Sequence, residues 1–233
     1  MTSTFKRPGG EMSSRPLHFI WIVDCSGSMM GEKIQSLNYA IRQTIPDMCQ
    51  AAEENPNAQL LIRAVKFSQG ASWHIANPTP IEEFEWIDLQ ADGVTDMGKA
   101  FELVSEQLHM PPMPERALPP VLVLLSDGQP TDQYRKNLEN LLALPWGKKA
   151  VKIAIAIGQD ADLEVLRDFV NNKELPVLQA NNPQALVKYI KWASTVAKQV
   201  STPNSKPASE NAPLCMVDIN TIPTVSNEDS DIW

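Results

Sequence analysis

The chain reads LHFIWIVDCSGS from Leu17 to Ser28, a mostly apolar run that ends in a polar, glycine-containing loop. A short apolar run bounded by polar residues is typical of a strand that is buried on both faces of a sheet. After the loop the spacing changes, because Ile34, Leu37 and Ile41 recur at helical intervals. This stretch therefore predicts a buried strand, a polar turn and an amphipathic helix in direct succession.

The same alternation of strand and helix patterns continues along the chain. Further strands are predicted at 58–67, 71–75, 121–125, 151–157 and 176–179, with an extended piece at 85–89. Helices are predicted at 33–48, 97–109, 133–144, 162–170 and 183–200. This order favours an α/β fold with a doubly wound, mostly parallel six-stranded sheet and helices on both faces. We expect strand 17–23 at the centre beside strand 121–125, and one short antiparallel edge strand near Ala71–Ile75.

Oxygen-bearing side chains lie in three loops, each placed between a predicted strand and a predicted helix. The first loop holds Asp24, Ser26 and Ser28, the second holds Thr95, and the third holds Asp127. Ligands of doubly wound sheets bind outside the carboxyl ends of the strands, where the winding reverses, so we expect these loops to converge. Hydroxyl and carboxylate oxygens favour a hard divalent cation, Mg²⁺ above all.

The pattern D-x-S-x-S … T … D resembles the metal-ion-dependent adhesion site of von Willebrand factor type A domains. In that family the serines and the threonine ligate the metal through neutral hydroxyls, and the aspartates act largely through bound water. The resemblance implies one Mg²⁺, or Mn²⁺, bound by Ser26, Ser28 and Thr95, with Asp24 and Asp127 in direct or water-mediated contact. It also implies that an Asp or Glu of a protein partner completes the octahedron, which is adhesion and not enzymatic catalysis.

Gly93 and Gly98 bracket Thr95 in a G-x-T-x-x-G pattern that also resembles the family. Val94 stands where the family usually has a second glycine.

Three other segments narrow the resemblance to one bacterial branch of the family. They are Arg42–Met48, Ser126–Asp132 and Tyr189–Ser194, which resemble intracellular proteins of the TerY type. Those proteins belong to tellurite-resistance and stress-response systems and often occur beside a protein kinase and a PP2C-type phosphatase. The resemblance therefore implies a kinase, a phosphatase or an ATPase as the protein partner.

The composition of the chain argues against two classes of binding partner and indicates the cellular compartment. The net charge of −8 and the pI near 4.9 argue against nucleic acid or an anionic membrane as the main partner. Cys25, Cys49 and Cys215 are odd in number and widely spaced, which is typical of a reducing compartment. With a polar N-terminus that lacks the apolar core of a signal peptide, these features predict a cytoplasmic protein of bacterial type.

The charge distribution suggests three regions. We predict a flexible N-terminus at 1–14, the metal-binding domain at 15–200, and an acidic, disordered tail at 201–233. One lysine and five acidic residues leave the tail with a net charge of −4, half that of the chain. Leu214–Ile219 is an apolar patch within it, and Trp233 is a further apolar residue, so we expect the tail to dock on a partner or to mediate self-association.

A serine hydrolase is an alternative, because Ser26 and Ser28 lie at a strand-to-helix turn. The G-x-S-x-G motif of a nucleophile elbow is absent, however. No histidine is clearly placed as a base at the predicted edge; the three in the chain are His18, His74 and His109.

Nucleotide and phosphoaspartyl chemistry are weaker alternatives for the first loop. Residues 26–31 contain glycines before a helix but match neither G-x-G-x-x-G nor the P-loop. A phosphoaspartyl phosphatase would need an acid two residues after Asp24, where Ser26 stands. A metal-dependent hydrolase or phosphatase that uses Asp24, Ser26 and Asp127 stays open as the second functional hypothesis.

Overall fold

The computed structural model describes residues 14–55, 57–201 and 217–224 of the chain. The strands are β1 (Arg15–Asp24), β2 (Ala58–Ser68), β3 (Gly70–Pro80), β4 (Val121–Ser126), β5 (Val151–Ile157) and β6 (Leu178–Ala180). The helices are α1 (Glu32–Glu53), α2 (Met97–Leu108), α3 (Tyr134–Ala143), α4 (Pro145–Lys149), α5 (Leu163–Val170) and α6 (Pro183–Ser201).

The strands form one six-stranded sheet in the order β3-β2-β1-β4-β5-β6. Only the β2–β3 pair is antiparallel, and every other neighbouring pair is parallel. β1 lies between β2 and β4, so the predicted central position and its predicted neighbour are confirmed. The winding reverses between β1 and β4, which is where a doubly wound sheet binds its ligands.

Helices cover both faces of the sheet, as the alternating pattern predicts. The chain moves from β1 to β2 in one direction and from β4 to β5 in the other, so right-handed crossovers place α1 and α3 on opposite faces. α6 packs beside α1, and α2 packs beside α3. The stacked rings of Phe101 and Phe169, with centroids 5.5 Å apart, join α2 to α5 on the second face.

Two local features differ from their sequence-based predictions. β3 spans Gly70–Pro80, longer than the predicted 71–75, because its pairing with β2 continues past register shifts. Pro145 begins the short helix α4 instead of only ending α3, since a proline suits the first turn of a helix.

A described piece of the tail, Val217–Thr224, packs against α6 of the same chain. Val217 is buried, and Ile222 is half-buried against the core. The backbone N–H of Asp218 donates to Gln199 Oε1 at 2.9 Å, which fixes the start of the segment near the end of α6.

The remaining predictions on chain organisation concern segments 1–13, 202–216 and 225–233, which lie outside the described residues. The division into an N-terminal segment, a domain and a disordered tail therefore stays a prediction. Within the described ranges, no helix combines the length and the apolar content that crossing a membrane requires.

Two basic side chains are buried on the same side of the sheet. Arg63 pairs in register with Ile20, two positions along β1 from His18, so both side chains point to the α2 face. The Arg63 guanidinium donates to Gln107 and to the Ala76 carbonyl. Burial, reinforced by the charge of Arg63, lowers the pKa of His18 to about 4, so the imidazole is neutral at neutral pH.

This neutral imidazole predicts a loss of stability in acid. Because the unfolded chain binds a proton near the ordinary pKa and the folded one only near 4, stability falls as pH drops through that interval. We expect a loss of about 3 kcal/mol between neutral pH and the folded-state pKa. Urea denaturation of the metal-free protein at a series of pH values measures this loss of unfolding free energy.

Two variants test the origin of this acid sensitivity. H18L should remove the His18 contribution, whereas H109L, which deletes an exposed imidazole, should retain the wild-type pH dependence. Other titrating groups are common to all three proteins and cancel in the difference. Equal pH dependence of wild type and H18L would contradict the prediction.

Candidate metal site

The predicted ligands lie at the carboxyl edge of β1 and β4. Asp24 is the last residue of β1, and Asp127 directly follows β4. Since Val23 pairs in register with Leu125, the two aspartates emerge at nearly the same level. Both are fully buried, as is Ser26, whereas Ser28 is exposed.

Hydrogen bonds fix both carboxylate oxygens of Asp24. The Ser126 hydroxyl donates to Oδ2 at 2.5 Å, and the backbone N–H of Ser26 donates to Oδ1 at 2.8 Å. Ser126 Oγ in turn accepts from the backbone N–H of Gly128 at 2.8 Å. The hydroxyls of Ser26 and Ser28 lie 3.0 Å apart, so the first loop presents two adjacent neutral oxygens.

The loop of Thr95 is hydrogen-bonded to both other loops. The backbone N–H of Gly27 donates to the Gly93 carbonyl at 2.9 Å, which joins the first and second loops. Thr95 donates its backbone N–H to the hydroxyl of Thr131 at 3.1 Å and accepts the Thr131 N–H at 2.9 Å. The structure therefore brings all three predicted loops together, and Thr95 is buried at their junction.

Two aspartates that sequence reasoning did not single out hold the second loop in place. Asp96 Oδ2 accepts from the backbone N–H of Gly70 at 2.7 Å. Asp132, from the third loop, accepts from the backbone N–H groups of Gly98 and Lys99 at 2.9 and 3.1 Å, in the first turn of α2. Such contacts between distant segments leave no local sequence signal.

Burial makes the site electrostatically unfavourable without a positive charge. Burial raises the pKa of Asp24 to about 6 against the hydrogen bonds from Ser126 and Ser26, and the charge of Asp127 raises it further. Both carboxylate oxygens of Asp127 are buried and accept no hydrogen bond within the described part of the chain. Among the described residues, no basic side chain forms an ion pair with either aspartate.

These residues fit a divalent cation. Buried carboxylates are normally hydrogen-bonded, paired or bound to a metal. Among the described residues, Oδ1 and Oδ2 of Asp127 have neither a hydrogen-bond donor nor a basic side chain as partner. The neutral hydroxyls of Ser26 and Ser28 lie at the same edge of the sheet. An all-oxygen donor set of this kind suits a hard cation.

The three histidines, which a serine-hydrolase triad would need as a base, lie away from the metal loops. His18 is inside β1, His74 contacts the Ile87 carbonyl from β3, and His109 follows the C-terminal end of α2. Cys25 adjoins the site, but burial, with the nearby charge of Asp24, raises the pKa of its thiol to about 12. The thiol is therefore protonated and unsuited to act as a nucleophile.

Comparison with known proteins identifies the family. The model of the von Willebrand factor type A domain matches residues 20–191. No match is found among curated proteins.

Solved structures share the fold at low identity. The ArnB paralog VWA2 from Sulfolobus acidocaldarius is 21% identical, with a TM-score of 0.57 over 77% of this chain and 45% of that one. Proximal thread matrix protein 1 from the mussel byssus, with a zinc-occupied MIDAS motif, is 18% identical, with a TM-score of 0.62 over 81% and 50%. BatB from Bacteroides thetaiotaomicron is 11% identical, with a TM-score of 0.53 over 78% and 98%.

The chain spans about half the length of the first two of these structures. Such identities show a common fold and no more. The family model, in contrast, covers well over half of the chain and includes the three loops described above. The chain therefore belongs to the von Willebrand factor type A domain family.

Proposed function

We propose that this protein is a metal-dependent interaction module that binds an acidic side chain of a protein partner. Domains of this family commonly mediate metal-dependent protein interactions. The observation that carries the proposal is the buried carboxylate of Asp127, both of whose oxygens lack a hydrogen-bond partner in the described structure. A divalent cation at this edge would offset the charge of Asp127 and of its neighbour Asp24.

In this proposal the hydroxyls of Ser26, Ser28 and Thr95 hold the cation directly. Asp24 and Asp127 act directly or through water. When bound, Mg²⁺ supplies an open coordination position for an anionic oxygen, and neutral ligands leave most of its charge available to that oxygen. Mn²⁺ suits the same oxygen set. The zinc in the motif of the mussel protein supports a divalent ion here.

Exposed apolar side chains on the rim of the site suggest what surrounds the partner's acidic residue. Met30 follows Ser28 in the first loop and is 61% exposed, and Val94 precedes Thr95 in the second loop and is 47% exposed. The hydrogen bond between Gly27 and Gly93 joins these two loops, and we propose that both side chains contribute to one rim around the metal. We therefore propose that the partner presents its carboxylate beside apolar residues, which would bury Met30 and Val94.

We further propose a cellular setting similar to that of the TerY-type proteins. The support is the resemblance of Arg42–Met48, Ser126–Asp132 and Tyr189–Ser194 noted above. In this setting the module acts in the bacterial cytoplasm within a stress-response or tellurite-resistance system. A kinase, a PP2C-type phosphatase or an ATPase then presents the acidic residue.

The first prediction concerns metal affinity. Calorimetry on the EDTA-treated full-length protein should detect one Mg²⁺ site. S26A and T95A should each weaken it by about tenfold or more, because each deletes a proposed ligand oxygen. S105A is the matched control and should leave Mg²⁺ affinity unchanged, since the Ser105 hydroxyl donates to the Phe101 carbonyl at 2.7 Å within α2, away from the site. Wild-type affinity in both S26A and T95A would overturn the ligand assignment.

The second prediction separates the rim from the metal. M30S and V94G should leave Mg²⁺ affinity unchanged but reduce Mg²⁺-dependent retention of partners on the immobilised protein, because they remove apolar contact area. M110S, which changes a methionine 52% exposed beyond the far end of α2, is the control. Retention that persists in EDTA, or that M30S and V94G leave unaltered, would contradict this role of the rim.

The enzyme hypothesis has its own readout. Metal-dependent turnover of ester or phosphate substrates that S26A abolishes would favour a hydrolase or phosphatase over an interaction module.

A further inference from the structure

A groove on the α1–α6 face suggests a binding surface separate from the metal loops. Its walls are the C-terminal half of α1 and the docked segment Val217–Thr224, and residues of α6 form its floor. The groove encloses about 620 Å³, and its lining includes Gln50, Lys188, Trp192 and Pro223.

The docked segment runs antiparallel to α6. Its start is fixed at Gln199 by the backbone N–H of Asp218. Three residues later, the hydroxyl of Thr221 accepts a hydrogen bond from Trp192 Nε1 at 3.0 Å, two helical turns nearer the beginning of α6. The docked segment therefore points from Gln199 towards the beginning of α6, along the groove.

The charges that line the groove leave one lysine for the segment that follows. Lys191 pairs with Asp47 at 3.4 Å, and Lys198 pairs with Glu54. Lys188 is exposed and forms no ion pair with a described residue, so its charge is the excess. Residues 225–233 contain three acidic side chains and no basic one; the acids are Glu228, Asp229 and Asp231. Opposite charges therefore face each other if this segment follows the groove.

A second cavity lies further along the same seam. It encloses about 370 Å³ between the starts of α1 and α6, where Tyr39, Pro183 and Val187 supply apolar surface. The rest of its lining is polar and consists of Glu32, Gln35, Ser36 and Gln184. Tyr39 is 52% exposed, so much of its side chain is open to a ligand in the cavity. The segment ends its acidic run with Ile232 and Trp233, which are large apolar side chains suited to such a cavity.

The cavity beside Tyr39 is close enough for residues 225–233 to reach it. Residues 225–233 form a stretch of nine residues, which spans about 30 Å when extended. From Trp192 to Pro183, α6 rises by only about 14 Å. The segment can thus pass Lys188 and reach the cavity beside Tyr39.

We propose that residues 225–233 bind in the α1–α6 groove of their own chain, with acidic side chains beside Lys188 and with Ile232 and Trp233 against Tyr39 and Val187. The segment would cover an otherwise open polar and apolar surface on this face. Its far end would lie beside Glu32, at the beginning of α1 and directly after the first metal loop. The surface would therefore be unavailable to other proteins until the segment is displaced.

Hydrogen exchange of the full-length protein tests the proposal without any use of the metal site. Peptides from residues 225–233 should exchange about tenfold slower than a synthetic peptide of the same sequence, because docking protects their amides. Y39S should remove most of this protection by deleting the apolar contact. Exchange of the wild-type segment at the rate of the free peptide would overturn the proposal, whatever the Mg²⁺ affinity.

A charge swap identifies the contact with Lys188. K188E should speed exchange of the segment by about threefold, as expected for a partly exposed ion pair, and adding E228K and D229K to K188E should restore the protection. K173E, at an exposed lysine outside the groove, should have no effect. Protection that disappears on dilution together with a sedimenting dimer would assign the segment to a second copy and overturn docking within one chain.

Discussion

The parallel pairing of β1 with β4 places two aspartates side by side at one buried edge of the sheet. The register Val23–Leu125 leaves Asp24 and Asp127 no exposed surface, and like charges in a buried site raise the free energy of the ionised pair. Ser126 compensates part of this by donating to Asp24, but Asp127 receives no such bond from the described residues. Under the proposed function, the cation offsets the remaining negative charge of Asp24 and Asp127 and is held by the surrounding loops.

Much of this site follows from the sequence, because central strands of a parallel sheet leave a strong local pattern. Strands buried on both faces must be nearly continuous runs of apolar residues, so 17–23 and 121–125 stand out from their polar surroundings. Polar side chains directly after such strands lie at the carboxyl edge by topology. The convergence of Asp24 and Asp127 was therefore predictable, although their role as ligands stays a prediction.

Features that depend on contacts between distant segments were not predictable in this way. Asp132 binds the first turn of α2, and Thr131 pairs with Thr95, yet nothing local distinguishes either residue from an ordinary loop side chain. The full length of β3 was also missed, because a half-exposed edge strand with prolines lacks the apolar run of a central strand. The docking of Val217–Thr224 on α6 likewise rests on tertiary contacts to Trp192 and Gln199.

The two lateral edges of the sheet have a consequence for behaviour in a crowded solution. Unpaired edge strands can recruit strands from other molecules and so start fibrous aggregates. Here β3 ends in a segment with Pro78 and Pro80, which cannot donate backbone hydrogen bonds, and its pairing is interrupted by register shifts. At the other edge, β6 offers only three residues. The sheet is thus poorly suited to add strands from other molecules at its edges. Contacts with other proteins are left to the loops and helices, where side chains can select the partner.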